Sequence, residues 1–573
     1  MWRRTSLGVI TSLALVLAAC NGGQSSSAAP TDESSAPTSS EMAVDPDQTL
    51  VLPGSDADPP TLDPNLAQDS ASLQILNSVT RPLLWFTQDL ELTTDGGLAQ
   101  EYVVSEDAQT LTFTLKEGIA FSNGDPITAQ DFVYSWKRAI DPRTAAPYSY
   151  VLADVVGGGD LLDMAGADPA PSDEEIDAAL DAFGVEAVDD STFEVSLSRA
   201  ASYFLYVTTI WITVPIQQSW VESGEDFTEA ENYVASGPFK IESWAHDEEI
   251  VMVPNENWIG EAPLLTSIRV LMGSDPDGFY RAFQNDEVDM AAVPGANAQQ
   301  VRDDPVLSEQ SITGDVLCTY YLGFDMDPDD GDTSPVENVN LRHAIQAAID
   351  TQGLIDTVRQ GIGKPADSFI PVGMPGHQDY GFGYAYDVDA AQADLETALG
   401  ELGLADASDI NLTLGVNAAS GHEPIMEFIQ ANLQETLGIN ITIEAQEWSV
   451  YLQTISENPQ DMYRLGWCQD YPHPNNFLFD VFSCDTARGG YCNEEMDELL
   501  AQAQVTADLA DQLPLYEEAQ QMLVDDAPAV WVYWYGRFTL VKPYVQGLVV
   551  TAGDSNTGEL FYDKIWISPR DAA

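Results

Sequence analysis

Basic residues are scarce in this chain. Its 573 residues include 93 aspartates and glutamates but only 21 lysines and arginines, which gives a formal net charge of −72 at pH 7. Proteins that bind nucleic-acid phosphates do so with clusters of lysine and arginine, so the composition excludes nucleic acid as a ligand. The acidic residues are spread along the whole chain, and we interpret them as a strongly hydrated surface suited to high salt, which screens their mutual repulsion.

Long hydrophobic segments are also missing. A transmembrane helix needs roughly 18 consecutive apolar residues, and the apolar run from Leu7 to Ala19 is shorter than that. Arg3 and Arg4 precede this run and Cys20 follows it, which is the layout of a secretory signal ending in a bacterial lipobox. We therefore predict a lipoprotein signal peptide over residues 1–19 and acylation of Cys20, which would hold the protein on a membrane face. The alternative is an ordinary secretory signal in which this cysteine is incidental.

Large apolar side chains are almost absent from residues 20–47, which consist mainly of Ser, Ala, Pro, Thr, Asp and Glu. Such a segment cannot bury enough surface to offset the entropy lost on ordering. The composition predicts a disordered tether between the lipid and the folded body.

Cysteine is rare, with five residues in the whole chain. Once Cys20 is assigned to lipid, four remain, an even number that suits disulfide bonds in an oxidising compartment. Three pairings are open, of which we favour a short Cys484 to Cys492 loop together with Cys318 to Cys468. Zinc binding is the other interpretation, but the spacing lacks Cys-x2-Cys pairs and a nearby histidine pair, so no metal site is predicted.

The common catalytic motifs of secreted hydrolases are missing. The chain has no His-Glu-x-x-His zinc motif, no Gly-x-Ser-x-Gly elbow and no Ser-x-x-Lys pair, and its five histidines are scattered. A triad can be assembled from distant residues, so a secreted hydrolase stays as the less favoured alternative. We predict neither an enzyme nor a cofactor.

Signals for strands and helices alternate along the chain. Apolar and polar residues alternate over Leu111–Leu115, and a helix signal follows in which Thr128 precedes Asp131 by three residues, as in a capping box. The stretch Ala529–Tyr535 is typical of a strand buried on both faces. This alternation predicts mixed α/β lobes. Further strands and helices are predicted at Gln48–Leu52, Asn340–Asp350, Asn411–Gly415, Glu423–Leu437, Ile439–Ile443 and Leu515–Leu523.

Two neighbouring segments, Leu111–Gly118 and Phe121–Arg138, resemble the signature of the family 5 extracellular solute-binding proteins, which are receptors of ABC importers for peptides, nickel and oligosaccharides. The similarity continues in order from about Leu50 to the end of the chain. Further segments resemble the oligopeptide-binding branch of that family in particular: Asp141–Tyr148, Cys318–Tyr321, Gln446–Trp448, Arg464–Tyr471 and Leu540–Pro543.

The resemblance implies a periplasmic-binding-protein-like α/β fold, a Venus flytrap with two lobes and three domains, and a disulfide between Cys318 and Cys468. Domain I would be discontinuous and the chain would cross between the large lobes near Val316 and Ala527. The expected domains are residues 48–82, 210–316 and 528–573 for domain I, 83–209 for domain II and 317–527 for domain III.

The function that the resemblance implies is capture of short peptides outside the cell and their delivery to the permease subunits of an ABC transporter. The protein is expected to be a monomer, anchored by lipid to the outer face of the cytoplasmic membrane or in the periplasm. The same fold also serves receptors for nickel complexes, oligosaccharides and signalling peptides, which remain alternatives. The segment Ala67–Ala71, where the first domain would meet the ligand, shares little with the family, so the peptide length is left open.

The expected ligand contacts follow from what all peptides share: an α-ammonium group, backbone amides and a carboxylate. By resemblance, Asp470 would pair with the ammonium group, Tyr148 would contact the ligand, and the backbone of Gly466 and Cys468 would pair with it as an added strand.

Aromatic and basic residues complete the expected site. Trp448 and Trp467 would wall side-chain pockets. Arg464 is the leading partner for the ligand carboxylate, because a guanidinium offers two parallel donors. His422 and Arg359 would take the carboxylate of ligands of other lengths.

Overall fold

Strands and helices alternate along the chain from Thr49 to Ile567, as the sequence predicts. The computed structural model describes residues 44–570 except 56, 168, 225, 327–333, 378–385, 419–420, 485, 507 and 555. The predicted signal peptide, Cys20 and nearly all of the predicted tether lie outside the described residues. Within the part of the chain that the structure describes, no helix is both long and apolar enough to cross a membrane.

The strands of the described residues are β1 (Thr49–Pro53), β2 (Trp85–Phe86), β3 (Leu92–Thr93), β4 (Ala99–Val104), β5 (Thr110–Leu115), β6 (Val185–Asp189), β7 (Thr192–Ser196), β8 (Phe239–Ala245), β9 (Glu249–Pro254), β10 (Ser267–Leu271), β11 (Met290–Ala292), β12 (Ser311–Phe324), β13 (Lys364–Pro365), β14 (Asn411–Asn417), β15 (Asn440–Gln446), β16 (Met462–Cys468), β17 (Ala529–Val541), β18 (Val545–Gln546) and β19 (Trp566–Ile567).

The α-helices of the same residues are α1 (Ser70–Val79), α2 (Ala129–Ile140), α3 (Gly158–Ala165), α4 (Asp173–Ala182), α5 (Phe204–Val207), α6 (Gln218–Val221), α7 (Pro276–Gln284), α8 (Ala298–Asp303), α9 (Pro305–Glu309), α10 (Val339–Ala348), α11 (Thr351–Thr357), α12 (Val388–Leu402), α13 (Glu423–Thr436), α14 (Trp448–Glu457), α15 (Pro474–Phe482), α16 (Glu494–Gln504) and α17 (Leu509–Asp526).

The N-terminal cap and the apolar face of helix α2 could both be predicted from the local sequence. Thr128 and Asp131 form the expected capping box, in which the Thr128 N–H donates to Asp131 Oδ2 at 2.8 Å. The residues at four-residue spacing, Phe132, Trp136 and Ile140, are all buried, so the apolar face of the helix lies in the core. The predicted capping box and the predicted apolar face are both confirmed.

Helix α17 is longer than predicted. It begins at Leu509 rather than at Leu515 and contains Pro514. A proline inside a helix removes one main-chain hydrogen bond, but here Gln512 and Tyr516 on either side of it are buried. Their packing outweighs the local preference for ending the helix at the proline.

Three sheets carry most of the strands. Two have four strands each, in the orders β1-β10-β9-β8 and β4-β5-β7-β6, and the third has the order β11-β17-β12-β16-β14-β15 with β13 also paired to β17. Strands β12 and β17 pair antiparallel along most of their length, with a break in register between Asp315 and Thr319. On one side of this break β17 pairs with β11, and on the other β12 pairs with β16. The two strands therefore connect the two halves of the sheet.

Strand β17 is buried on both faces, as predicted. Val530 and Val532 belong to the apolar cluster on one face of the sheet, whereas Ala529 and Trp531 belong to the cluster on the other. Since successive side chains of a strand point to opposite faces, this continuous apolar run contributes to two cores. A separate core is formed by residues before about 290 and the C-terminal strands.

Both favoured disulfides are present. Cys318 and Cys468 are direct partners in the antiparallel pairing of β12 and β16, with their Cα atoms 4.0 Å apart. Cys484 and Cys492 close a short loop with Cα atoms 4.3 Å apart. The first bridge joins the middle of the sheet to the strand that carries four of the predicted ligand-binding residues, Arg464, Gly466, Trp467 and Cys468.

Candidate functional site

Strand β16 leaves one edge uncovered over most of its length. It pairs fully with β12 on one side, but β14 pairs only with its first two residues on the other. The N–H of Gln469 donates to Leu317 O on the β12 side, and main-chain groups of successive residues point to alternate edges. The N–H and C=O groups of Gly466 and Cys468 therefore face away from β12, toward an edge that no described strand covers.

Asp470 lies two residues beyond β16, and hydrogen bonds hold its half-buried carboxylate from two directions. The hydroxyls of Tyr148 and Tyr150 donate to Oδ1 and Oδ2 at 3.1 and 3.3 Å, and Asn476 Nδ2 donates to Oδ2 at 2.9 Å. Burial raises the pKa of Asp470 to about 6, against the effect of these hydrogen bonds. At neutral pH the group is therefore mainly a carboxylate. A ligand ammonium group can pair with it.

A second carboxylate, Asp480, lies behind the first on helix α15. It accepts hydrogen bonds from Tyr471 Oη at 2.9 Å, Asn476 Nδ2 at 3.1 Å and Asn475 Nδ2 at 3.4 Å. Burial raises the pKa of Asp480 to about 7, and the charge of Asp470 contributes to that shift. We refer to Asp470, Asp480, Asn476, Tyr148 and Tyr150 as the acidic end of the site.

Two arginines lie at the other end of the uncovered edge. Arg464 is buried and lies 4.7 Å from the ring centre of Tyr320, while Arg359 lies 4.5 Å from that of Tyr533. The two tyrosine rings stack on each other with centres 4.6 Å apart. Each guanidinium is thus stabilised by a ring face. We call these four residues, together with His422, the basic end.

Neither arginine pairs with an acidic residue of the described chain. Arg464 instead donates to Asn417 Oδ1 at 3.3 Å and to Tyr535 Oη at 3.2 Å, and its buried Nε has no acceptor among the described residues. A buried charge without a counter-charge is costly. In a chain with 93 acidic residues, this arrangement suits a negatively charged ligand group.

His422 lies beside Tyr320, the ring that also contacts Arg464. Its ring centre lies 5.5 Å from that of Tyr320, and its Nδ1 is 3.4 Å from the tyrosine hydroxyl. Burial, together with the positive charges of Arg464 and Arg359, lowers the pKa of His422 to about 4. The ring is therefore neutral at physiological pH and can donate or accept one hydrogen bond without adding charge.

A cavity of about 640 Å³ opens beside the uncovered edge, within the range of about 300–1,000 Å³ usual for ligand pockets. Its wall on one side includes Cys318, Cys468 and Arg359, and on the other side Leu52 and Gln74. A smaller cavity of about 60 Å³ lies next to Asp470. The acidic end, the uncovered edge and the basic end thus follow one cleft.

The remaining predicted residues divide between these parts. Trp467 belongs to the acidic end, since its Nε1 donates to Asn476 Oδ1 at 3.3 Å. Gly466 leaves room for the Tyr535 hydroxyl, which lies 3.0 Å from where a Cβ atom would be. Trp448 is 44% exposed at the start of α14, and its ring centre lies 6.2 Å from that of Tyr451, whose hydroxyl donates to Arg464 O. Among the described residues no group of three or more metal-ligating side chains is assembled.

Sequence reasoning missed several residues of both ends. Tyr320, Tyr533 and Tyr535 could have been found from the strand pattern. Tyr533 and Tyr535, for example, are two residues apart on a strand and therefore share a face. Asn476 and Asp480 gave no such signal, because their relation to Asp470 depends on how α15 packs beside β16.

Known proteins resemble this chain over most of its length. The profile of the bacterial extracellular solute-binding proteins, family 5, middle part, matches residues 93–489. The chain is 29% identical over 519 residues to the oligopeptide-binding protein OppA of Bacillus subtilis, covering 88% of this chain and 90% of that protein. It is 28% identical over 510 residues to the periplasmic oligopeptide-binding protein OppA of Salmonella typhimurium, covering 87% and 89%.

Solved structures agree with the sequence comparisons. The Listeria monocytogenes OppA bound to peptide superposes with a TM-score of 0.73 at 28% identity, over 92% of this chain and all of that one. The fold is therefore the two-lobed α/β fold of periplasmic solute-binding proteins. The chain belongs to the bacterial extracellular solute-binding proteins of family 5.

Proposed function

We propose that this protein is an extracytoplasmic receptor that captures short peptides and delivers them to the permease of an ABC importer. The observation that carries the proposal is the order of groups along one cleft: a carboxylate, an uncovered strand edge, and arginines without a carboxylate partner. These complement the ammonium group, the amides and the carboxylate of a peptide. The relatives named as oligopeptide-binding proteins support it.

The peptide would lie extended along β16. Its α-ammonium group would pair with Asp470, and its backbone would hydrogen-bond with Gly466 and Cys468 in the manner of an added strand. Its carboxylate would reach Arg464, His422 or Arg359 according to length. Because the contacts go to groups that every peptide has, side-chain sequence would matter less than the two termini.

Other ligands of this family fit the cleft less well. Neither an oligosaccharide nor a nickel complex brings an ammonium group for Asp470, and a neutral sugar would leave Arg464 without a counter-charge. A signalling peptide has the same termini as a nutrient peptide, so it would use the same site. We propose binding without cleavage, as the family of receptors implies.

Ligand capture would bring the two lobes together. Asp470 belongs to the proposed domain III and Tyr148 and Tyr150 to the proposed domain II, so the acidic end is built from both. The lobes would be joined through β12 near Val316, at the break in its register, and through β17 near Gly536, which lies opposite Asp315. The second crossing, expected near Ala527, would in that case lie inside β17.

We further propose that Cys20 carries the lipid and that residues 20–47 tether a monomeric body to the membrane. Mass spectrometry of protein extracted from membranes tests this, since an acylated N-terminal peptide beginning at Cys20 is expected. A mature chain that begins elsewhere, or a free Cys20 thiol, would contradict it.

Calorimetry with a tripeptide tests the central proposal. We expect tri-alanine to bind and to be recovered intact, and N-acetylation or C-terminal amidation to weaken binding, because each removes the charge of one terminus. Failure to bind peptides of two to about six residues, or recovery of cleaved peptide, would overturn the proposal.

A further inference from the structure

Asn476 lies at the centre of the acidic end, and its amide contacts both carboxylates. Its Nδ2 donates to Asp470 Oδ2 at 2.9 Å and to Asp480 Oδ2 at 3.1 Å. Its Oδ1 accepts from the Asp470 N–H at 2.9 Å and from Trp467 Nε1 at 3.3 Å. These four bonds use both donors and both acceptor lone pairs of the amide.

The orientation of this amide is determined by its neighbours. Its oxygen faces two N–H donors and its nitrogen faces two carboxylates, so a flipped amide would place oxygen against oxygen at both carboxylates and N–H against N–H at both donors. Asn476 is fully buried, at 0% exposure, in the first turn of α15, two residues after Pro474. The side chain therefore has neither the space nor the hydrogen-bonding alternatives to turn.

Asp470 is held through this one residue at two points, the main-chain N–H and one carboxylate oxygen. Asp480 lies four residues after Asn476 on the same helix, and it is held in turn by Tyr471 and Asn475. Asp470 is therefore supported by a short chain of hydrogen bonds that runs through Asn476 to Asp480, and both of these residues lie on helix α15.

Several other charged or titratable groups surround the pair. Asp154 lies on the far side of Asp480 and pairs with Arg199 at 2.7 Å. Tyrosine hydroxyls complete the surroundings: those of Tyr148, Tyr150, Tyr203, Tyr471 and Tyr516. Arg199 pairs with Asp154, and the Asn476 amide donates to both Asp470 and Asp480.

We propose that Asn476 is a positioning residue for peptide capture: it presents Asp470 to the ligand ammonium group in one orientation, and Asp480 in turn orients Asn476. This inference rests on the proposed function, because it assigns the ammonium group to Asp470. Neither Asn476 nor Asp480 touches the ligand in this arrangement.

Asn476→Ala tests the proposal in the full chain. We measure binding of tri-alanine and of N-acetyl-tri-alanine by calorimetry. Loss of hydrogen bonds to a charged group predicts about tenfold weaker binding of the free peptide, with the acetylated peptide changed by less than about twofold, because it brings no ammonium group. The matched control is Asn255→Ala, another buried asparagine, whose Nδ2 donates to Gly237 O and which lines neither of the two cavities. Its preference for the free peptide should equal that of the wild type.

Two charge variants decide the question if Asn476→Ala does not fold. Asn476→Asp puts a third carboxylate against the pair, so the pH below which peptide binding weakens should rise. Asp480→Asn removes a like charge, so that pH should fall. Either shift follows from the charge alone, so the positioning role is read from Asp480→Asn at pH 8, where Asp470, with a pKa of about 6, stays ionised. A lower preference for the free peptide than in the wild type is expected there, because Asn476 loses the carboxylate that orients it.

The outcomes separate this inference from the function on which it rests. A wild type that binds both tripeptides equally, or binds neither, overturns the assignment of the ammonium group to Asp470, and the inference with it. A wild type that prefers the free peptide, alongside a folded Asn476→Ala with the same preference or a folded Asp480→Asn with the same preference at pH 8, overturns the positioning role alone.

Discussion

The acidic and basic ends of the cleft hold their charges in different ways. Asp470 is fixed by directional hydrogen bonds from hydroxyl and amide groups, whereas Arg464 and Arg359 lie against tyrosine rings. A hydrogen bond weakens steeply when its angle changes, but a cation can shift over a ring face with less loss. Under the proposed function, the acidic end would set the register of the peptide and the basic end would accept its carboxylate at more than one place.

The largest expected effect is at the acidic end. Asp470→Ala should weaken binding of a free tripeptide by a hundredfold or more, because it removes the counter-charge of a desolvated ammonium group, which costs about 3 kcal/mol or more. Calorimetry measures the affinity, and thermal unfolding shows whether the variant is folded. A folded variant with near-wild-type affinity would contradict the proposal that Asp470 at the acidic end sets the register of the peptide.

At the basic end the effect should depend on peptide length. Arg464→Met and Arg359→Met each keep an apolar chain but remove the charge, and each should weaken the peptides that use that arginine by about tenfold. Affinities for alanine peptides of two to about six residues would show the profile. If both variants lose affinity equally at every length, the basic end acts as one site, and the comparison drawn above fails.

Lowering the pH from 7 to 5 should protonate Asp470 at the acidic end but not His422 at the basic end. The pKa of Asp470 is raised to about 6 and that of His422 is lowered to about 4, so between pH 7 and pH 5 the acidic end gains a proton and the basic end does not. Because the ammonium group needs the carboxylate form, affinity for a free peptide should fall about tenfold from pH 7 to pH 5. Calorimetry at both pH values, with the N-acetylated peptide as control, tests the sign; a fall of equal size for the blocked peptide would contradict it.

The smallest expected change is in overall shape. If the acidic end is completed by Tyr148 and Tyr150 from the other lobe, peptide should shift the population toward closed molecules, by no more than its differential affinity for the two states. Small-angle scattering with and without tri-alanine should show a small decrease in the radius of gyration. An unchanged profile at saturation would mean that both ends are already formed without ligand.

Several parts of the fold were predictable because they depend on neighbours in sequence. The capping box of α2 is three residues long, and the apolar face of that helix repeats every four residues, so both could be read locally. The start of α17 could not, because the burial of Gln512 and Tyr516 against other elements offsets the effect of Pro514.

The residues of the site likewise divide into those that could be predicted from the sequence and those that depend on packing. Resemblance to a family pointed to Asp470, and the chemistry of a peptide carboxylate pointed to Arg464, with His422 and Arg359 for ligands of other lengths. The structure brings these three basic residues together beside the stacked rings of Tyr320 and Tyr533. Trp448 was expected to wall a pocket, and its place at an exposed helix start leaves that role a prediction. The support of Asp470 by Asn476 had no signature in the sequence.

The sequence by itself determined the acidity of the chain, the alternation of strands and helices, and the residue types able to meet the two ends of a peptide, since these properties belong to single residues or short spacings. Only the tertiary structure decided that β16 has an uncovered edge, that two arginines stack on tyrosines without a carboxylate, and that one amide lies between two aspartates. Each of these depends on segments far apart in the chain approaching within a few ångströms, and packing, not local preference, sets that approach.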